Sequence, residues 1–149
     1  MNHSLRASAL RLLARREHSR AELEAKLGAA APDDVATLLD EFEQNGWLSD
    51  SRFAAEWIRS RGSRFGSRRL AEELRQRGVD DETIHTTLAD SVDDLETARA
   101  VWRKKFGQLP IDAKDRARQY RFMLARGFAS STIRTVLGSD PDHDFEPAD

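Results

Sequence analysis

The ten residues RGSRFGSRRL, from Arg61 to Leu70, set four arginines, two glycines and two serines around one phenylalanine. A guanidinium stays charged at physiological pH and offers a planar fork of donors, which suits phosphates and carboxylates. Three chemistries fit such a stretch: a loop that cradles phosphate, an arginine-rich contact for a polyanion, or a solvated connection between helices. The first fails on spacing. A nucleotide loop of the G-x-x-x-x-G-K-[ST] type follows a buried strand. Here Gly62 and Gly66 have three residues between them, no lysine follows, and the preceding stretch reads as helical. The serine-nucleophile turn G-x-S-x-G is not met either, because Ser63 directly follows Gly62.

Arg59 extends the cluster, so Arg59, Arg61, Arg64, Arg68 and Arg69 gather around one connection. Ser67 is expected to cap the next helix, whose first amides would add to an anion site. Phe65 has two readings, a core plug between helices or an exposed apolar or stacking contact. A second basic cluster is Arg103-Lys104-Lys105. A third is Arg116, Arg118 and Arg121, of which Arg118 and Arg121 share a helical face.

Charge comes in blocks. From Arg52 to Arg77 eight arginines face three acids, whereas Asp80 to Glu96 holds seven acids and no lysine or arginine. From Arg99 to Arg126 nine basic residues face two acids, and SDPDHDFEPAD after Gly138 carries five acids. Such blocks point to a charged, extended partner rather than to one small molecule. Catalytic constellations are missing. There is no cysteine, and His3, His18, His85 and His143 are scattered without ligand spacing. The paired acids Glu72-Glu73 and Asp93-Asp94 are adjacent and diverge around a helix. These features predict a chain that is not an enzyme and has no catalytic, cofactor or metal site.

The elements that position the basic clusters repeat. RGVDDETIHTTL (Arg77 to Leu88) and RGFASSTIRTVL (Arg126 to Leu137) align at an offset of 49. The first part of the chain echoes them, with Val35 and Leu39 lying 49 before Ile84 and Leu88. A period near 48 with helical content predicts stacked units of three short helices. In the first, Leu5, Ala9, Leu12 and Leu13 form one stripe, Ser19 and Glu22 make a capping box, and Pro32-Asp33 start a helix that ends before Gly46. Asp50 or Ser51, Ser67 and Asp80 open the helices of the second unit; in the third, Leu95, Ala98, Val101 or Trp102 and Phe106 form one stripe, Pro110 and Asp112 start a longer helix, and Ser130 or Ser131 opens the last. The expectation is an all-α, elongated and curved array of about nine helices. Its units are residues 1–49, 50–92 and 93–138, followed by an acidic tail at 139–149 that composition predicts to be disordered. One short extended piece is conceivable at Gly46-Trp47-Leu48. No apolar run is long enough to cross a membrane, and no apolar stripe is left over, so a soluble monomer is the default.

The first unit also has the outline of a winged helix, with HSRAELEAKLG followed by VATLLDEFEQNGWL. Its third helix carries Asp33, Asp34, Asp40, Glu41 and Glu43 and no basic residue, so phosphates would repel it from a major groove.

Four segments, ALRLLARREHSRAELEAKL, LLDEFEQNGWLSDSRFAAEWIRSR, GSRRLAEELRQRGVDDETI and YRFMLARGFASSTIRTVL, resemble the RecX regulatory proteins of bacteria. The likeness runs from about Leu5 to Leu137 with all three units in order. It departs in small ways: Ala129 stands where the family often has serine, and the acidic tail has no assigned counterpart. The resemblance implies tandem three-helix repeats, a cytoplasmic location, and binding in the groove of the RecA–single-stranded-DNA filament. It also implies restraint of RecA's ATPase and strand exchange, with no cofactor. Under it, Arg59, Arg61, Arg64, Arg68, Arg69, Arg103, Lys104, Lys105, Arg118 and Arg121 are candidates for filament or DNA contact. The alternative is a stand-alone DNA-binding protein that competes with recombinase for strands.

Overall fold

The computed structural model describes residues 3–28 and 31–138; the acidic tail lies outside them. Among the described residues there are nine helices and no strand. They are α1 (His3–Arg15), α2 (Arg20–Leu27), α3 (Pro32–Gln44), α4 (Asp50–Arg61), α5 (Ser67–Gln76), α6 (Asp81–Ser91), α7 (Asp94–Lys105), α8 (Ala113–Ala125) and α9 (Ser130–Leu137). No described helix is long and apolar enough to cross a membrane.

Local chemistry sets these boundaries. The Ser19 hydroxyl accepts the Glu22 amide at 3.0 Å while the Glu22 carboxylate accepts the Ser19 amide at 3.1 Å, closing the capping box. Asp80, Asp93 and Asp112 each accept the amide three residues on, at 2.8, 3.2 and 2.7 Å, so these helices start on short acidic caps. Pro32 occupies the first turn of α3, where a missing N–H costs nothing. The extended piece conceivable at Gly46-Trp47-Leu48 does not form. The amides of Trp47 and Leu48 both donate to the Phe42 carbonyl, at 2.9 and 3.2 Å, so they finish α3 and are not free for a ladder.

The described residues pack as two compact units, one running up to Ile58 and joined by Glu73–Asp90, the other formed by Arg59–Glu72 and the residues from Ser91 on. Helices α4 and α5 contribute residues to both. In the first unit Ala9, Leu23, Leu27, Val35, Leu38, Leu39, Phe42 and Leu48 form one core, flanked by Leu5, Leu12 and Leu13. Arg77 and Gly78, which follow α5, dock onto the start of α2. The Ser19 hydroxyl donates to the Arg77 carbonyl at 2.7 Å, and the Arg20 amide donates to the Asp50 carboxylate at 2.8 Å. Gly78 has a φ of 82° and lies so close to Ala21 that a side chain there would strike its methyl group.

In the second unit Ala98, Tyr120, Met123, Phe128, Ile133 and Leu137 form the core, with α9 packed on α7 and α8. Its buried polar groups are paired. The Trp102 indole donates to the Gln119 side-chain oxygen at 2.8 Å, and the Gln119 amide donates to the Gln108 carbonyl at 3.1 Å. The Tyr120 hydroxyl donates to Ser130 at 2.6 Å.

Candidate functional site

The connection between α4 and α5 lies in the second unit, against the connection between α8 and α9. The Gly66 amide donates to the Arg126 carbonyl at 2.8 Å and the Arg68 amide to the Gly127 carbonyl at 3.1 Å. Between them the Ser67 amide donates to the Asp94 carboxylate at 3.1 Å. These amides were expected to face an external anion, and the unit uses them internally. Ser67 is therefore the first residue of α5 rather than its cap. The glycines serve contact between backbones. A Cβ on Gly66 would stand 2.5 Å from the Gly127 carbonyl oxygen, and one on Gly127, whose φ is 97°, would strike Arg69.

Phe65 is 7% exposed, so the core-plug reading holds and an exposed stacking role does not. Guanidinium groups roof it. The guanidinium carbons of Arg69, Arg61, Arg126 and Arg64 lie 4.1, 4.7, 5.2 and 5.5 Å from the ring centroid. Each such contact contributes about 0.5–2 kcal/mol, depending on desolvation. A guanidinium resting on a ring keeps its charge and its in-plane donors, so the ring positions the cations without neutralising them.

Arg126 also stands 5.1 Å from the Phe122 centroid, and the Lys105 ammonium 5.2 Å from the same ring. Phe122 meets Phe106 edge to face at 5.3 Å, and Arg118 lies 5.1 Å from Phe106. One row of rings and cations thus runs from Phe65 through Arg126, Phe122 and Phe106 to Arg118. Beside this row is a groove of about 470 Å³ lined by Ser63, Arg64, Ala100, Val101, Lys104, Lys105, Phe122 and Arg126. Its cations are Arg64, Lys104, Lys105 and Arg126; no carboxylate lines it, and among the described residues none pairs with these four. A concave site with one sign of charge and an apolar lining focuses potential and draws in anions.

Of the residues singled out in the sequence, the structure brings Arg61, Arg64 and Arg69 together around Phe65, and Lys104 and Lys105 into the groove with Arg64. Arg59, Arg68 and Arg103 are exposed and do not line it. Arg118 pairs with Asp115 at 2.7 Å, and that hydrogen bond holds the Asp115 carboxyl below the usual carboxylate range. Arg118 and Arg121 line a separate hollow of about 640 Å³ that also takes in Leu109 and Ile111. Sequence reasoning left Arg126 out of the site. Its signal was the repeat itself, since Arg126-Gly127 matches Arg77-Gly78, the pair that docks on the first unit's α2.

Models of three RecX domains match in chain order. The first three-helix domain covers residues 6–41, the second 49–88 and the third 92–137. The regulatory protein RecX of Chromobacterium violaceum is 51% identical over 144 residues, covering 95% of this chain and 94% of that protein. The chain belongs to the RecX family of regulatory proteins. RecX of Leptothrix cholodnii is 42% identical over 147 residues, covering 96% of this chain and 94% of that protein. Among solved structures, RecX from Lactobacillus salivarius matches with a TM-score of 0.77 at 18% identity, covering 89% of this chain and 91% of that one. At that identity the likeness speaks for the RecX fold alone. The resemblance drawn from the sequence and the all-helical class both hold.

Proposed function

We propose that this RecX-family chain regulates a RecA recombinase filament on single-stranded DNA. It acts mainly by inhibition, restraining ATP hydrolysis, strand exchange and filament growth in recombination, DNA repair and the SOS response. The observation that carries the reading is the groove of Arg64, Lys104, Lys105 and Arg126, four cations without a carboxylate among its lining residues. Membership in a family of regulatory proteins supplies the context. A filament offers such a groove repeated carboxylates and phosphates along its length. Many weak contacts made by one body then gain through effective concentration. In this reading the chain works in the cytoplasm as a monomer, without catalysis or cofactor, and Arg61 and Arg69 support the contact from the roof of Phe65.

The groove also suits a bare phosphate backbone, which favours a second reading as a DNA-binding protein that competes with recombinase for strands. The two differ in what binding requires. Titration onto bare and recombinase-coated single strands, each at 50 and 200 mM salt, separates them. Tighter binding to coated strands, with inhibition of the recombinase ATPase at low ratios of chain to recombinase, is the expected result. Equal or tighter binding to bare strands with a steep salt slope supports the competitor reading and removes the filament reading.

A further inference from the structure

The connection between α7 and α8 carries the most exposed large aliphatic side chains among the described residues, Leu109 at 57% and Ile111 at 86%. The backbone that presents them is held in place. The Gln108 carbonyl accepts the buried Gln119 amide at 3.1 Å, and Gln119 is itself tied to the Trp102 indole. On the far side the Ile111 amide donates to the Asp115 carboxylate at 3.2 Å, while Asp112 caps α8 through the Asp115 amide at 2.7 Å. Pro110, between the two aliphatic residues, fixes its own backbone angle. A pre-organised segment gives up little conformational freedom on binding, and exposed aliphatic area is what burial in a partner rewards.

The hollow around them adds Lys105, Lys114, Arg118 and Arg121. Its two acids are engaged within the chain, Asp112 in the cap and Asp115 with Arg118 and the Ile111 amide. Lysines and arginines gain on a phosphate backbone, but leucine and isoleucine gain nothing there. Both kinds gain on a protein surface that has an apolar pocket bordered by carboxylates. We infer that Leu109 and Ile111 anchor the chain on a recombinase subunit, in an apolar pocket edged by aspartates and glutamates. This rests on the filament reading above and deepens it, by making one contact protein-to-protein.

The test is the double variant L109S/I111S, which leaves charge unchanged and removes only exposed side chains; helical circular dichroism checks the fold. The expected result is at least about a tenfold loss of affinity for recombinase-coated strands, with affinity for bare strands unchanged. The variant L109M/I111V should bind as the parent does. A photo-reactive benzoylphenylalanine at position 111 should cross-link to recombinase on coated strands. Parental affinity of the serine variant, an equal loss on bare strands, or cross-links to DNA alone would each overturn the anchor. If the parent chain itself fails to prefer coated strands, the filament reading falls first and takes the anchor with it. That arm is read independently of the variants.

Discussion

The two Arg-Gly joints share a backbone arrangement and differ in charge. In the first unit Arg77 lies 3.9 Å from the Trp57 centroid and donates to the Glu73 carbonyl at 3.0 Å, and the Trp57 indole donates to the Glu73 carboxylate at 2.9 Å. Arg20, at the start of α2, meets Glu24, Asp40 and Glu43. Burial works against its charge, yet the three carboxylates outweigh burial and raise its pKa above the ordinary arginine value. In the second unit Arg126 stands between Phe65 and Phe122 with Arg61, Arg64, Arg69 and Lys105 around the same rings. One joint is balanced by acids, and the other borders a groove lined by Arg64, Lys104, Lys105 and Arg126 and by no carboxylate. The repeat copies the scaffold, and the side chains around each copy decide whether it only holds the chain together or also offers a surface to a polyanion.

The largest expected effect separates the joints by space. Gly127→Ala and Gly66→Ala each drive a methyl group into backbone atoms, whereas Gly78→Ala meets only the Ala21 methyl. We expect the first two to cost about 3–4 kcal/mol each and the third about 2–3 kcal/mol. Urea unfolding checks this, with Trp102 reporting on the second unit and Trp57 on the first. A cost for Gly78→Ala equal to that for Gly127→Ala would break the distinction.

Smaller effects follow from the two serines. Ser19 caps α2 and also holds the Arg77 carbonyl, so Ser19→Ala should cost about 1–2 kcal/mol. In the second joint Gly66 holds the matching position before α5 and Ser67 follows it as the first helical residue without capping, so Ser67→Ala should stay within about 0.5 kcal/mol. Similar losses in the same urea titrations would mean that the joints are built alike after all.

The smallest effect is titration, and it belongs to the first joint alone. His18 is buried, with Nδ1 3.1 Å from the Arg16 carbonyl and Nε2 3.0 Å from the Lys26 ammonium. Burial pulls its pKa below the ordinary 6.5. The folded chain therefore favours the neutral ring, and below about pH 6.5 the unfolded chain takes up the proton first. That contribution to stability is complete above pH 6.5 and is lost as pH falls toward the folded-state pKa. Position 65, the counterpart in the second joint, is a phenylalanine and titrates nothing. The first unit's urea midpoint should fall between pH 7.5 and 5.5, and His18→Gln should flatten the fall. An unchanged slope in that variant would assign the pH dependence elsewhere.

Much of the fold was legible because its signals are local. The Ser19–Glu22 box, Pro32 at the start of α3 and the caps at Asp80 and Asp112 act within one helical turn, so spacing alone placed those helix starts. The site was legible only in part, because its decisive contacts join residues far apart in sequence. The α5 amides look free for an anion until Asp94, 27 residues away, and the Arg126-Gly127 carbonyls claim them. Arg64 and Lys104 sit in different repeats, and only packing shows them lining one groove while Arg59 and Arg68 do not. Arg126 was visible as half of a repeated Arg-Gly pair. That pattern marked it as structural and gave no hint that it would stack on two rings.

In the proposed filament reading the second joint's cations touch the filament and the first unit's do not. The direct measurement compares inhibition of the recombinase ATPase on single-stranded DNA by R64E/K104E/K105E and by R11E/R15E/R52E, which reverses three exposed charges on the first unit. The groove variant should need at least about tenfold more protein for half-inhibition at unchanged helical content, and the control should inhibit like the parent. Parental inhibition by the groove variant, or equal loss in the control, would contradict the account.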